Sequence, residues 1–211
     1  MNISATLNVL RLLTNPQLCV PHLTIPSFDK IPIPLCFPSS ITTAQPEIKA
    51  IVLDKDNCFA KDHDDKVWPE YQETFTKLRT QYPGASLLIV SNSAGTNDDI
   101  NHSQAKILEE STGVTVLRHS TKKPGCHHEI MEYFKTNNIC HKPEEVAVVG
   151  DRLFTDVLMA NMMGSWSVWI SNGVVRSESL ICRMERELNN RMTNTENPYT
   201  PLIPGSTTDK N

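Results

Sequence analysis

Asp54 and Asp56 stand two residues apart at the end of the apolar run Ala50–Leu53. In an extended chain the side chains at i and i+2 point the same way, so both carboxylates face one spot. A third acid, Asp151, follows a second apolar run, Val146–Val149, after a single glycine. Like charges held this close destabilise one another unless one carries a proton or a cation sits among them. A hard divalent ion with oxygen ligands and several retained waters, most simply Mg2+, removes the repulsion. One Asp-x-Asp by itself is commonly a solvated turn, so the case for chemistry lies in the company it keeps. Ser91-Asn92-Ser93 follows Leu87–Val90, Lys122-Lys123-Pro124 follows Val114–Leu117, and Gly150-Asp151-Arg152 is succeeded by Thr155-Asp156.

The elements that must carry these groups can be read from hydrophobic periodicity. Ile48–Leu53, Ser86–Val90, Val114–Leu117, Val146–Val149 and Trp166–Ile170 predict strands. The first, second and fourth are near-continuous apolar runs, as parallel strands buried on both faces are. Between them, four amphipathic stretches predict helices: Glu70–Gln81, Asp98–Glu110 with Ile100, Ile107 and Leu108 on one side, His127–Lys135 with Ile130, Met131 and Phe134, and Leu153–Met163 with Leu153, Val157 and Ala160. Strand and helix in alternation give an α/β fold, a doubly wound and mostly parallel sheet, over residues 47–192. Ligands of such sheets bind at the carboxyl ends of the strands, which is where the polar groups fall. Ser179–Arg191 carries Leu180, Met184 and Leu188 at i, i+4 and i+8, which predicts a C-terminal helix docked through those residues, with Arg183 able to pair with Glu187. Residues 193–211, with Pro198, Pro201 and Pro204, predict an irregular tail.

Asp-x-Asp, then Ser, then Lys, then Gly-Asp with a further Asp, each after its own strand, resembles the haloacid dehalogenase-like (HAD) phosphohydrolase superfamily over about Ile48 to Gly173. The wording Asp54-Lys55-Asp56-Asn57-Cys58, Ser91-Asn92-Ser93-Ala94-Gly95, Lys122-Lys123-Pro124 and Gly150-Asp151-Arg152-Leu153-Phe154-Thr155-Asp156 is similar to subfamily IIIA, whose members lack a cap, and most of all to the mitochondrial phosphatidylglycerophosphatases of fungi. The resemblance implies Asp54 as a nucleophile forming an aspartyl-phosphate and Asp56 as general acid and then base. Ser91 and Asn92 would bind the phosphate, with Lys123 as the cation beside nucleophile and phosphate. Asp54, Asp151 and the Asp56 main-chain carbonyl would hold Mg2+, with Asp156 supporting the metal shell or Lys123. Lys122 could take the place of Lys123, which is preferred for standing directly before Pro124. Cys58 departs from the superfamily, which often has Thr there, and puts no catalytic group in doubt. Electrostatic preorganisation is the main catalytic need in phosphoryl transfer, and loss of one donor such as the Ser91 hydroxyl is expected to raise the barrier by about 3 kcal/mol.

Residues 57–90 and 92–122 must each already hold a crossover helix and a strand, which leaves no room for a cap domain. An open site suits a phosphate presented on something large: a macromolecule, a membrane lipid head group, or a second subunit of a homo-oligomer acting as lid. The resemblance implies the lipid, phosphatidylglycerophosphate, converted to phosphatidylglycerol on the way to cardiolipin at the matrix face of the mitochondrial inner membrane. The runner-up is a capless HAD phosphatase acting on a protein or a soluble sugar phosphate. A noncatalytic HAD-like module predicts that one of Asp54, Asp56, Lys123 or Asp151 is replaced, and all are present.

The first 46 residues fit a lipid substrate. Pro16, Pro21, Pro26, Pro32, Pro34, Pro38 and Pro46 predict a stretch without regular sheet or long helix, outside the catalytic domain. Ahead of Pro16, Ile3, Leu7, Leu10 and Thr14 recur at helical spacing, and Ile3, Leu7, Leu10 and Leu13 form a candidate monotopic membrane anchor. This stretch has the acid-poor half of a mitochondrial presequence and lacks the Arg-rich half. The composition, 39% apolar and 21% charged, is globular, and no apolar run approaches the roughly 18 to 20 residues of a bilayer span. A formal charge of -4 argues against a general nucleic-acid partner, since neutralising a phosphate backbone needs a dense basic surface. Six scattered cysteines without a C-x-x-C pair predict a reducing compartment and no zinc site.

Overall fold

A computed structural model describes residues 10–206. Six strands, β1 (Leu23–Ile25), β2 (Ala50–Leu53), β3 (Leu87–Ile89), β4 (Thr115–Val116), β5 (Val146–Gly150) and β6 (Trp166–Ile170), form one sheet in the order β1-β6-β5-β2-β3-β4. Every pairing in it is parallel. The helices are α1 (Gln72–Gln81), α2 (Ser103–Thr112), α3 (His127–Thr136), α4 (Leu158–Met163) and α5 (Leu180–Thr193). Alternation along β2 separates two cores. Ile51 and Leu53 join Phe59, Phe75, Leu78 and Leu108 on the α1–α2 face, whereas Ala50 and Val52 join Ile130, Phe134 and Met159 on the α3–α4 face. Covered on both sides, β2, β3 and β5 are buried at every position, which is why their sequences are continuous apolar runs.

From β2 the chain proceeds outward through β3 and β4, then returns to β5 on the other flank. The switch point between β2 and β5 opens a crevice at the strand ends, and the register Leu53↔Val149 sets Asp54 beside Gly150 and Asp151 at its mouth.

Several expectations are corrected. The boundary at residue 46 is not a packing boundary: β1 extends the sheet by pairing with β6, and Phe28, Leu35 and Phe37 are buried in the α1–α2 core. Three residues of strand fit between Pro21 and Pro26 because β1 is an edge, where prolines are tolerated. Leu10–Leu13 and Pro16–Cys19 form 3-10 turns. Ile3 and Leu7 of the expected helix lie outside the described residues. Leu108 is buried as expected, but Ile100 and Ile107 are exposed, since Asn101 and His102 are left-handed and α2 starts only at Ser103, burying Ala105 and Thr112 with Leu108. The stretch Leu153–Met163 begins as a π turn, Leu153–Val157, before α4. Helix α5 docks through Cys182, Glu185 and Met192, leaving Leu180 and Met184 76% and 63% exposed, and Glu187 pairs with Arg191 at 2.7 Å. No helix of the described residues is long and apolar enough to cross a membrane.

Candidate active site

At the switch point the Lys123 ammonium lies 2.5 Å from Asp54 Oδ1 and 2.7 Å from Asp156 Oδ1. These side chains are almost withdrawn from water: Lys123 is 3% exposed, Asp54 9% and Asp156 1%. Lys122 instead meets Asp98 at the surface, so of the two lysines only Lys123 reaches the acids. Asp151 completes the group, and Asp54, Asp151 and Asp156 each offer a carboxylate oxygen within 4.8 Å of the others. Burial pushes the Asp54 carboxyl well above the usual carboxylate range, with Lys123 pulling against it, and burial followed by Asp54 and Asp156 pushes Asp151 the same way. For Lys123 burial acts downward, and Asp156 and Asp54 outweigh it, holding the ammonium well above its ordinary value. One ammonium offsets one of three carboxylates. The remaining charge, and a donor set made wholly of oxygen, fit a hard divalent cation.

Backbone geometry brings these groups together. A Cβ on Gly150 would fall 2.3 Å from Asp156 Cγ, so only glycine lets Asp156 fold back over the end of β5. The π turn starts directly after this loop, and the Arg152 amide donates to Asp156 Oδ2 at 3.1 Å. Both Asp156 oxygens are thus engaged, which suits a role in holding Lys123 more than one of direct ligation. Asn57, in the left-handed region at φ 56°, donates through Nδ2 to Asp151 Oδ2 at 2.9 Å. Its Oδ1 accepts from the Val175 amide, tying the strand-β2 loop to the chain leading into α5.

Asp56 stands apart from this cluster. Its carboxylate, 33% exposed, is held by Lys55 Nζ at 2.8 Å and the His63 amide at 3.0 Å, and faces the Ser91 and Ser93 hydroxyls at 3.5 and 3.4 Å. Of the expected metal residues, then, Asp54 and Asp151 converge through carboxylates, whereas the Asp56 side chain points to the serine side. Asn92, expected at the phosphate, accepts the Lys123 amide at 2.7 Å and so positions that lysine. The mouth itself is lined by Asp54, Asp56, Asn92, Lys123, Asp151, Arg152, Ser177 and Cys182. Another hollow, beside Arg79, Thr76 and Tyr82, holds no carboxylate and none of these residues.

Three positioning residues escape sequence reasoning. Buried Asp99 accepts three amides, from Gly95, Gln104 and Ala105, and so fastens the Ser91 loop to the start of α2. Burial works to raise its carboxyl, and those amide hydrogen bonds outweigh it and hold it below the usual range. Buried His119 places one ring nitrogen 2.9 Å from the Ser91 carbonyl and the other 2.8 Å from that of Thr121, joining the Ser91 loop to the segment that carries Lys123. Buried Glu185 on α5 accepts from Arg152 Nε and the Phe154 amide, both at 2.9 Å. An Asp at the start of a helical pattern is a capping signal that could have revealed Asp99, but nothing local marks the other two.

Residues 3–175 match the family model described as mitochondrial PGP phosphatase. The chain is 56% identical over 190 residues to the mitochondrial phosphatidylglycerophosphatase of Saccharomyces cerevisiae, covering 90% of this chain and 98% of that one. It is 32% identical over 189 residues to the probable mitochondrial phosphatidylglycerophosphatase of Schizosaccharomyces pombe, covering 89% and 90%. With the probable phosphatase YqeG of Bacillus subtilis it shares 26% over 147 residues, covering 69% and 76%.

Proposed function

The chain belongs to the mitochondrial PGP phosphatase family, and from that premise we propose that it removes the terminal phosphate of phosphatidylglycerophosphate to give phosphatidylglycerol for cardiolipin synthesis. The observation that carries this reading is the buried Lys123 ammonium between Asp54 and Asp156, with an Asp151 carboxylate oxygen within 4.8 Å of those of the other two acids, at the carboxyl ends of two adjacent parallel strands.

In the proposed mechanism an Asp54 carboxylate oxygen attacks phosphorus, forming an acyl phosphate as the bond to the glycerol oxygen breaks. Asp56 hands its proton to the departing alkoxide. It then takes a proton from the water that attacks the acyl phosphate, which releases inorganic phosphate and restores Asp54. Lys123 screens the approach of a carboxylate to an anionic phosphate, while the Ser91 hydroxyl donates to a phosphate oxygen. Asp54 and Asp151, with the Asp56 main-chain carbonyl, would hold Mg2+, which when bound would neutralise charge on the phosphoryl oxygens. The position of Asp56 supports its role: its carboxylate, a third exposed, faces solvent and the Ser91 and Ser93 hydroxyls.

The relatives named mitochondrial support a mitochondrial location, and the matrix face of the inner membrane is the place proposed within it. The N-terminal residues Ile3, Leu7, Leu10 and Leu13 are proposed as the monotopic anchor. Because residues 20–37 belong to the sheet and core, the anchor is tested by deleting residues 1–9 and replacing what remains of it, Leu10→Gln with Leu13→Gln. Hydrolysis of lipid in vesicles is expected to fall with hydrolysis of a soluble phosphomonoester unchanged, and equal retention of both would remove the anchor. The activity itself is tested by phosphate release from phosphatidylglycerophosphate with Mg2+, wild type beside Asp54→Asn. The variant is expected to lose at least about a thousand-fold, and an unaffected variant would refute Asp54 as nucleophile.

A further inference from the structure

Helix α5 has two faces of opposite character. Its inner face is fixed by a polar clamp: Glu185 accepts from Arg152 Nε and the Phe154 amide, beside buried Cys182 and Met192. With rotation set by that clamp, the outer face presents Leu180, Ile181 and Met184, 76%, 53% and 63% exposed, and Val175 just before the helix is exposed as well. Arginines are the bases of this segment. Residues 176–193 contain Arg176, Arg183, Arg186 and Arg191 and no lysine, in a chain of net charge -4. Of its three glutamates, Glu185 is turned inward onto Arg152.

We propose that the outer face of α5 docks on an anionic phospholipid surface and holds the mouth of the site against it. The proposal rests on the lipid-phosphatase reading above and extends it to a second contact, distinct from the N-terminal anchor. Three observations point to a bilayer as the occupant. Exposed apolar side chains with a small net positive charge alongside, +1 over residues 176–193 with Glu187 pairing with Arg191 and Glu178 facing Arg176 and Arg186, are the composition of an interfacial helix, which lies in the plane of the head groups and is attracted by anionic lipid. The helix adjoins the site: Ser177 and Cys182 line the mouth, and Ile181 of the outer face directly precedes Cys182. Through its inner face the helix also reaches the loop on which the N-terminal segment packs, since Glu185 grips Phe154, and Leu12 and Cys19 pack with Leu153 and Phe154. A second copy of the chain fits less well. Helix α5 has 14 residues. At about 1.5 Å rise per residue and about 10 Å width it offers roughly 200 Å2, against roughly 800 Å2 per partner in a stable interface. A lipid surface makes no such demand for area or shape.

The test uses the full chain carrying Leu180→Asn with Met184→Gln, substitutions at exposed positions that keep helix-compatible side chains. Binding is read by cosedimentation with mixed phosphatidylcholine–phosphatidylglycerol vesicles, without substrate. Wild type is expected to bind these more tightly than pure phosphatidylcholine vesicles, and the variant to lose about tenfold or more. Turnover of p-nitrophenyl phosphate by the variant is expected to match wild type, which also certifies its fold. Undiminished vesicle binding by the variant overturns the proposal, and so does a wild-type dimer that the variant dissociates with vesicle binding intact. A wild type that turns over the soluble ester but not phosphatidylglycerophosphate would sink the substrate reading, while the cosedimentation still decides the face by itself.

Discussion

The two halves of the site are built on different principles. On the β2–β5 side, Asp54, Lys123 and Asp156 are each less than a tenth exposed and directly joined, with Asp151 within reach. On the β3 side, Asp56 is a third exposed and meets Ser91 and Ser93 only at 3.4 to 3.5 Å. Charge that must be fixed before a phosphate arrives is withdrawn from water, where a field is strongest and needs no reorganisation. The group expected to exchange protons with alkoxide and water is left where water is.

The contrast breaks most visibly at Lys123. Replacement by Met leaves buried carboxylates without their cation, so Lys123→Met is expected to lose about 3–5 kcal/mol of stability as well as activity. Urea denaturation checks this, and an undiminished midpoint would mean that the buried half is not held by charge. Ser91→Ala probes the open half. It is expected to slow phosphate release on the order of a hundredfold while leaving the urea midpoint almost unmoved, and a stability loss as large as that of Lys123→Met would erase the distinction. The smallest effect belongs to Asp99, which steadies the open half from behind. Asp99→Asn is expected to destabilise the protein by about 1–2 kcal/mol at neutral pH. Because the folded protein holds this carboxyl below its ordinary value of 3.8, its contribution is present above that pH and is lost as pH falls through the depressed folded value. The difference between wild type and variant should therefore shrink below about pH 4, and a difference that persists there would contradict the amide-capped carboxylate.

The same division governs what was legible in the residues. Strands β2, β3 and β5 are legible because burial on both faces forces continuous apolar runs, and Asp54, Asp56, Ser91, Lys123 and Asp151 because each follows one of the apolar runs. Strand β1 is not, since three residues among prolines become a strand only through β6 beside them. The orientation of α5 is hidden for a related reason. Its i, i+4, i+8 stripe of Leu180, Met184 and Leu188 is the stronger periodic signal, yet the Glu185 clamp on Arg152 decides which face turns inward. His119 is beyond local reading as well, because its ring spans carbonyls of two loops that only the folded chain brings together.

The sheet ends on β1 and β4, of three and two residues. Edges this brief expose hardly any unpaired backbone for a foreign strand to add to. A parallel sheet joins segments distant in the chain and is slow to complete, so partly assembled molecules have time to meet one another. Once the outer strands are seated, the sheet of the described residues offers hardly any template for cross-β growth, so the brevity of its margins works against fibre formation.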